Sequence, residues 1–155
     1  MLFRSEPTTA LDVIVQKNIL ELLDRLRREE GMGLLLVSHD LGVVGSVCSR
    51  IAVMYAGQIV EEGPAEHVLG QPRMPYTAGL LASTRRDKAQ KRLVSIPGVP
   101  PPLGDRAVSC RFAPRCPLAK ARCHAEEPNL VTVAEAHSSA CWYSDDVATL
   151  AGALT

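Results

Sequence analysis

A chain of 155 residues that is 46% apolar can build one domain with a real core and a small appendage, and it is too hydrophobic to stay disordered. Seventeen basic residues balance seventeen acidic ones, so no net field draws the chain to nucleic acid. No apolar stretch approaches the roughly 18 residues that span a bilayer, and Glu6 and Pro7 follow Met1–Arg4 too soon for a secretory signal, so a cytosolic chain is expected.

The first informative segment is Ser5-Glu6-Pro7-Thr8-Thr9-Ala10-Leu11-Asp12. Asp12 can cap a helix starting at Val13, because its carboxylate can accept from orphan amides of the first turn. Val15, Ile19, Leu22, Leu23 and Leu26 recur at helical spacing to about Glu30, where Gly31 and Gly33 end the run. Leu34-Leu35-Leu36-Val37 has no polar alternation and reads as an interior strand of a parallel sheet covered by helices. Ser38-His39-Asp40 follows directly, then a short helix from Asp40 to about Cys48, with Cys48 a small core residue.

Ile51 to Tyr55 reads as a second strand, and Gly57 allows a tight turn into Ile59–Glu62, giving a hairpin. Pro64 starts a short helix to Leu69, and another runs from Pro75 to about Ser83. Arg85 to Arg92 carries five basic residues in eight without an interleaved aromatic, which suits a solvated helix face better than a phosphate-binding patch. Pro97-Gly98-Val99-Pro100-Pro101-Pro102 is an extended connector, since proline fixes φ and removes a donor.

A cysteine-rich module follows. Cys110, Cys116, Cys123 and Cys141 form a C-x5-C-x6-C-x17-C array, unlike the C-x2-C pairs of common zinc ribbons. In a cytosolic chain such thiols favour metal binding or free thiols over disulfides. Four thiolates within 32 residues can enclose a metal centre, with Phe112, Pro114, Pro117 and Trp142 as a candidate apolar shell. His124 and His137 are substitute ligands, although loop histidines are usually surface residues. Absent throughout is a Gly-x-x-x-x-Gly-Lys-Ser/Thr loop to cradle phosphates.

With these residues in view, the chain resembles ATP-binding subunits of ABC transporters, and among them the oligopeptide/dipeptide importer group. Glu6–Asp12 resembles the end of a Walker B motif plus the D-loop, and Ser38-His39-Asp40 resembles the H-loop. Met74-Pro75-Tyr76-Thr77, Ile96-Pro97-Gly98 and the cysteines resemble the C-terminal extension of peptide and nickel importers. The implied fold is α/β: a partial P-loop NTPase-type parallel sheet with helices, then a small irregular cysteine-rich extension. Residues 1–84 would be the C-terminal part of the ATP-binding domain, 85–102 a connector, 103–147 the extension and 148–155 a tail.

The same resemblance implies an ATPase coupled to transport, working with ATP and magnesium. Glu6 would position the attacking water and accept its proton, and His39 would sense the γ-phosphate. Asp12 and Ser38 would touch nucleotide or the opposite subunit. The four cysteines would hold a four-iron four-sulfur cluster, with zinc as the alternative. Expected partners are a second ATP-binding subunit, membrane permease subunits and, indirectly, an external solute-binding protein, with the chain peripheral on the inner face of the cell membrane.

Some residues depart from that pattern. Ser5 stands where the family has a magnesium-holding Asp, and Arg4 would lie in an apolar strand at a cost of several kcal/mol if unpaired. The expectation is therefore that Met1–Ser5 is foreign to the fold, that the reading frame was truncated, and that the fragment alone has negligible ATP affinity. The alternative function is a non-catalytic metal-binding or regulatory module derived from such an ATPase, or import of nickel or another small solute.

Overall fold

The computed structural model describes residues 2–5, 13–84, 95–102, 108–147 and 149. Glu6, Asp12 and the basic run Arg85–Arg92 lie outside them. The backbone divides into two compact units, Met1–Ser49 and Arg50–Thr155.

In the first unit β1 (Leu2–Ser5) pairs in parallel with β2 (Leu34–Val37), Leu2 opposite Leu34 and Ser5 opposite Val37. Leu2–Ser5 was expected to stand outside the fold, yet it forms a strand. Parallel pairing is made by main-chain amides and carbonyls and asks little of side-chain identity. Between them runs α1 (Val13–Glu29), one residue shorter than its periodicity suggests. It closes with Gly31 at φ 62° while Met32 N donates to Arg27 O, a left-handed helix stop that glycine adopts without strain. Asp24 ties the last turn by accepting from Arg27 and Arg28. β2 is not wholly interior: its residues alternate half-buried and exposed, with Leu35 46% exposed, because among the described residues only β1 pairs with it.

The second unit is built on a four-stranded antiparallel sheet of order β3-β4-β6-β5. The molecule is thus mixed helix and sheet, and its larger sheet is antiparallel rather than parallel. β3 (Arg50–Tyr55) sends Ile51, Val53 and Tyr55 into the core and leaves Ala52 and Met54 outside, the two-residue period of a half-buried strand. Ala56 (φ 48°) and Gly57 (φ 83°) then turn the chain into β4 (Gln58–Pro64), two successive positive φ values as in the favoured two-residue hairpin turns. Arg111 Nη1 donates to the carbonyl of Ala56 and braces that turn.

Short helices α3 (Ala65–Gly70) and α4 (Pro75–Thr84) follow where Pro64 and Pro75 foretold them. After the connector come a 3-10 turn at Ala113–Arg115, the one-turn helix α5 (Ala121–Ala125), and the hairpin β5 (Val131–Ala134) and β6 (His137–Ser139). β6 pairs with β4, Glu61 opposite Ser139 and Glu62 opposite Ser138. The cysteine module is therefore woven into the same sheet as the hairpin.

Candidate functional site

In the first unit, the parallel register makes both chains leave β1 and β2 at the same end, after Ser5 and Val37. Ser38-His39-Asp40 follows Val37, and Glu6 is next in sequence after Ser5. Asp40 caps α2 (Leu41–Val47): its Oδ1 accepts from Gly42 N at 2.9 Å and Val43 N at 3.1 Å. Ser38 Oγ in turn accepts from Asp40 N at 3.1 Å. The two flanking side chains thus lock the backbone around His39, whose imidazole is on the exposed side of this turn. A strand end followed at once by a capped helix is where open α/β sheets present side chains to ligands. Cys48 ends α2 as a half-buried C-cap, and its burial pushes the thiol pKa up.

In the second unit the structure brings Cys110, Cys116, Cys123 and Cys141 to one small cavity. Met74, Pro75, Phe112, Ala113, Leu118 and Trp142 contribute its apolar walls. Of the shell anticipated from sequence, Phe112 and Trp142 belong to it. Pro114 and Pro117 instead face outward, because the 3-10 turn directs Phe112 and Ala113 inward. Cys110 N donates to Cys123 O at 3.0 Å, fastening two of the thiol-bearing segments together.

Burial dominates the thiol chemistry. It raises Cys110, lifts Cys116 to about 11 and lifts Cys141 to about 12, so in the metal-free protein these groups are neutral at physiological pH. Among the described residues, no group of three or more His, Cys, Asp or Glu side chains is gathered closely enough to hold a metal ion. The donor set, four sulfurs on one apolar cavity, suits a thiolate-bound centre. The thiols would have to draw closer together and shed protons to form it. Arg122 lies 3.5 Å above the Trp142 ring and Lys120 3.9 Å above Tyr143, a cationic cover on the outer side of these aromatics.

Sequence reasoning missed the buried polar centre of this unit. Glu61 and His137 are 0% and 2% exposed, and Glu61 Oε1 lies 2.8 Å from His137 Nε2. Arg73 N also donates to Oε1, and Ser139 Oγ donates to Arg73 O at 2.8 Å. Burial raises the pKa of Glu61, against lowering by Thr77, Arg73 and His137. Glu61 Oε2 and the buried Thr77 hydroxyl face each other without a well-formed hydrogen bond. His137 is thus not a surface loop residue but a buried strand residue, whereas His124 is exposed on α5. One signal was available. Gly63 follows Glu61 by two residues, and a Cβ there would meet the His137 ring at 3.1–3.2 Å, so the glycine reserves space for the imidazole.

Arg115 is the second missed residue. It donates to the carbonyls of Pro97 and Ile96 and to Tyr55 Oη, gripping the connector against the sheet. Ile96 packs on the other side against Gly79 of α4. Tyr76 joins Tyr55 and Phe112 in an aromatic cluster with centroids 4.6–5.4 Å apart, which gives it a packing role.

Comparison with known proteins bears on these features. Residues 60–123 match the model of the oligopeptide/dipeptide transporter, C-terminal region. The chain is 47% identical over 148 residues to a Brucella ovis protein named as a peptide import ATP-binding protein, covering 91% of this chain and 44% of that one. It is 50% identical over 143 residues to the oligopeptide transport ATP-binding protein OppD of Mycobacterium tuberculosis, covering 91% of this chain and 23% of that one. It is 47% identical over 147 residues to the dipeptide transport ATP-binding protein DppD of Escherichia coli K12, covering 94% and 45%. The chain spans less than half the length of these relatives. Residues 60–123 are thus similar to the oligopeptide/dipeptide transporter C-terminal regions, within a sequence similar along 91% or more of its length to proteins named as peptide import or transport ATP-binding proteins.

Proposed function

We propose that the chain is the C-terminal part of the ATP-hydrolysing subunit of an ABC importer for oligopeptides or dipeptides. The observation that carries this is the family match over residues 60–123 together with extended similarity to two named peptide transport ATP-binding proteins. The parallel β1–β2 pair supports it, because the segments that begin with Glu6 and Ser38 leave a common strand end.

On this basis Glu6 orients the attacking water, His39 donates to the terminal phosphate, and Asp12 and Ser38 serve nucleotide or subunit contact. ATP and magnesium are the cofactors of the complete protein. Its partners are a second ATP-binding subunit and the permease, at the inner face of the membrane. Among the described residues no helix is long and apolar enough to cross a membrane. Residues 1–84 then continue the ATP-binding domain, 85–102 connect, 103–147 form the extension and 148–155 the tail.

The test is His39→Ala in the complete subunit assembled with its permease. ATP turnover should fall by orders of magnitude while nucleotide binding persists, since only hydrolysis needs the γ-phosphate contact. Unchanged turnover rejects the assignment.

For the cysteines we propose a thiolate-bound metal centre, an iron–sulfur cluster before zinc. The convergence of all four on one apolar cavity supports it. When bound, such a centre would tie the four segments together and could carry an electron. Anaerobic purification followed by iron, sulfide and zinc analysis decides it: zinc without iron or sulfide rejects the cluster, and no metal rejects both.

A further inference from the structure

The Glu61 carboxyl stands behind the four-thiol cavity and holds two of its walls. Its Oε1 accepts from Arg73 N, and the next residues, Met74 and Pro75, line the cavity. The same oxygen meets His137 Nε2, and four residues further along the chain is the lining thiol Cys141. Ser139 Oγ to Arg73 O at 2.8 Å and Ala140 N to Val60 O at 2.8 Å close the circuit between the two walls. Gly63 leaves the imidazole room to reach Glu61 at all. Tyr143 N donates to Cys141 Sγ itself at 3.4 Å, and the cationic cover reaches Trp142 and Tyr143 from the outside.

Resting on the four-thiol reading of the cavity, we propose that Glu61 and His137 are positioning residues, a buried latch that sets Cys141 in register with Cys110, Cys116 and Cys123. The groups facing the latch are Arg73 through its amide, Thr77 from α4 through its hydroxyl, and His67 from α3, whose ring centroid lies 6.1 Å from that of His137. A carboxyl shared between two partners fixes both of their segments to one point. Removing it takes away the side-chain tie at the cavity end of β6 and leaves the main-chain ladder to β4, the Ala140 N to Val60 O bond and the Cys110–Cys123 contact in place.

The test is site-resolved alkylation of the full 155-residue chain, kept metal-free with EDTA, by iodoacetamide, read cysteine by cysteine by mass spectrometry. In Glu61→Ala, Cys141 should react roughly tenfold faster, the ratio that about 1.4 kcal/mol of lost local protection gives. Cys123, and Cys48 of the first unit, should be unchanged. Glu61→Gln retains a carbonyl oxygen for Arg73 N and a polar amide for His137, and should restore the wild-type Cys141 rate. Were Glu61→Ala to fail to fold, Ser139→Ala removes only the outer tie and should raise Cys141 alone by a smaller factor. Equal acceleration of all four cavity thiols, or an unmoved Cys141 in either alanine variant, overturns the latch. Because the readout needs no metal, it stands or falls separately from metal analysis of the wild-type protein.

Discussion

Glu61 Oε1 and His137 Nε2 meet at 2.8 Å across 76 residues of sequence, inside a sheet that buries both side chains. The imidazole lies over Gly63, whose missing side chain is the condition for that approach. Gly63→Ala would put a methyl group within 3.1–3.3 Å of His137 ring carbons and main chain, in a place where both strands are fixed. The expected loss is about 1–3 kcal/mol of stability, read as a lower midpoint in urea unfolding. A wild-type midpoint would show that the strands yield.

The pH dependence follows from the same carboxyl. Burial raises Glu61 above its ordinary value of 4.5, so the folded state holds this proton more tightly than the unfolded chain does. Its contribution is therefore complete below pH 4.5 and is lost as pH rises through the raised value. Relative to Glu61→Gln, the wild type should lose stability from acid toward neutral pH. Urea melts of both proteins across that interval check the sign, and a wild type that gains on the variant contradicts it.

A second titration belongs to the thiols. Cys116 and Cys141 are lifted by burial from 9.0 to about 11 and about 12, so their neutral forms support the fold and ionisation opposes it. In metal-free protein this support is complete below pH 9 and fades from there to about pH 12. Alkaline unfolding monitored by Trp142 fluorescence should shift to higher pH in a Cys116→Ser, Cys141→Ser variant, provided it folds at neutral pH. An unshifted alkaline midpoint argues against buried neutral thiols.

Asp40 offers a local test. Asp40→Ala removes the acceptor for Gly42 N and Val43 N, and loss of such a cap costs about 1 kcal/mol. Hydrogen exchange at those two amides should quicken, with no change in the Arg50–Thr155 unit. Unaltered exchange at both amides means another acceptor replaces the carboxylate.

Arg115 controls the connector. Arg115→Met keeps the apolar stem but drops the hydrogen bonds to Ile96 O, Pro97 O and Tyr55 Oη. Limited proteolysis should then cut near Ser95–Gly98 several-fold faster. Cleavage at the wild-type rate shows that Ile96 against Gly79 suffices to hold the segment.

Local order was largely legible in the residues. α1 followed from apolar spacing and its Gly31 stop, the hairpin from Gly57, and α3 and α4 from their leading prolines. These elements are set by contacts a few residues apart. The pairing of β6 with β4 was not readable, because Glu61 and Ser139 are distant in sequence and nothing local selects that partner. The same gap hid His137, whose short strand looks like a loop until β4 is beside it. The cysteine spacing announced a cluster of thiols but not that Met74 and Pro75 would complete the walls. Glu6 and Asp12 lie outside the described residues, and their reading rests on the sequence motif.

The strand order β3-β4-β6-β5 has a practical consequence for anyone dividing this molecule. A cut placed in the proline stretch would strip β4 of its neighbour and bare a row of unsatisfied amides and carbonyls, the kind of open flank on which polypeptides stack and precipitate. Chimeras that exchange the cysteine segment between relatives should therefore carry Arg50–Pro64 along with it, so that donor and recipient never share a ladder.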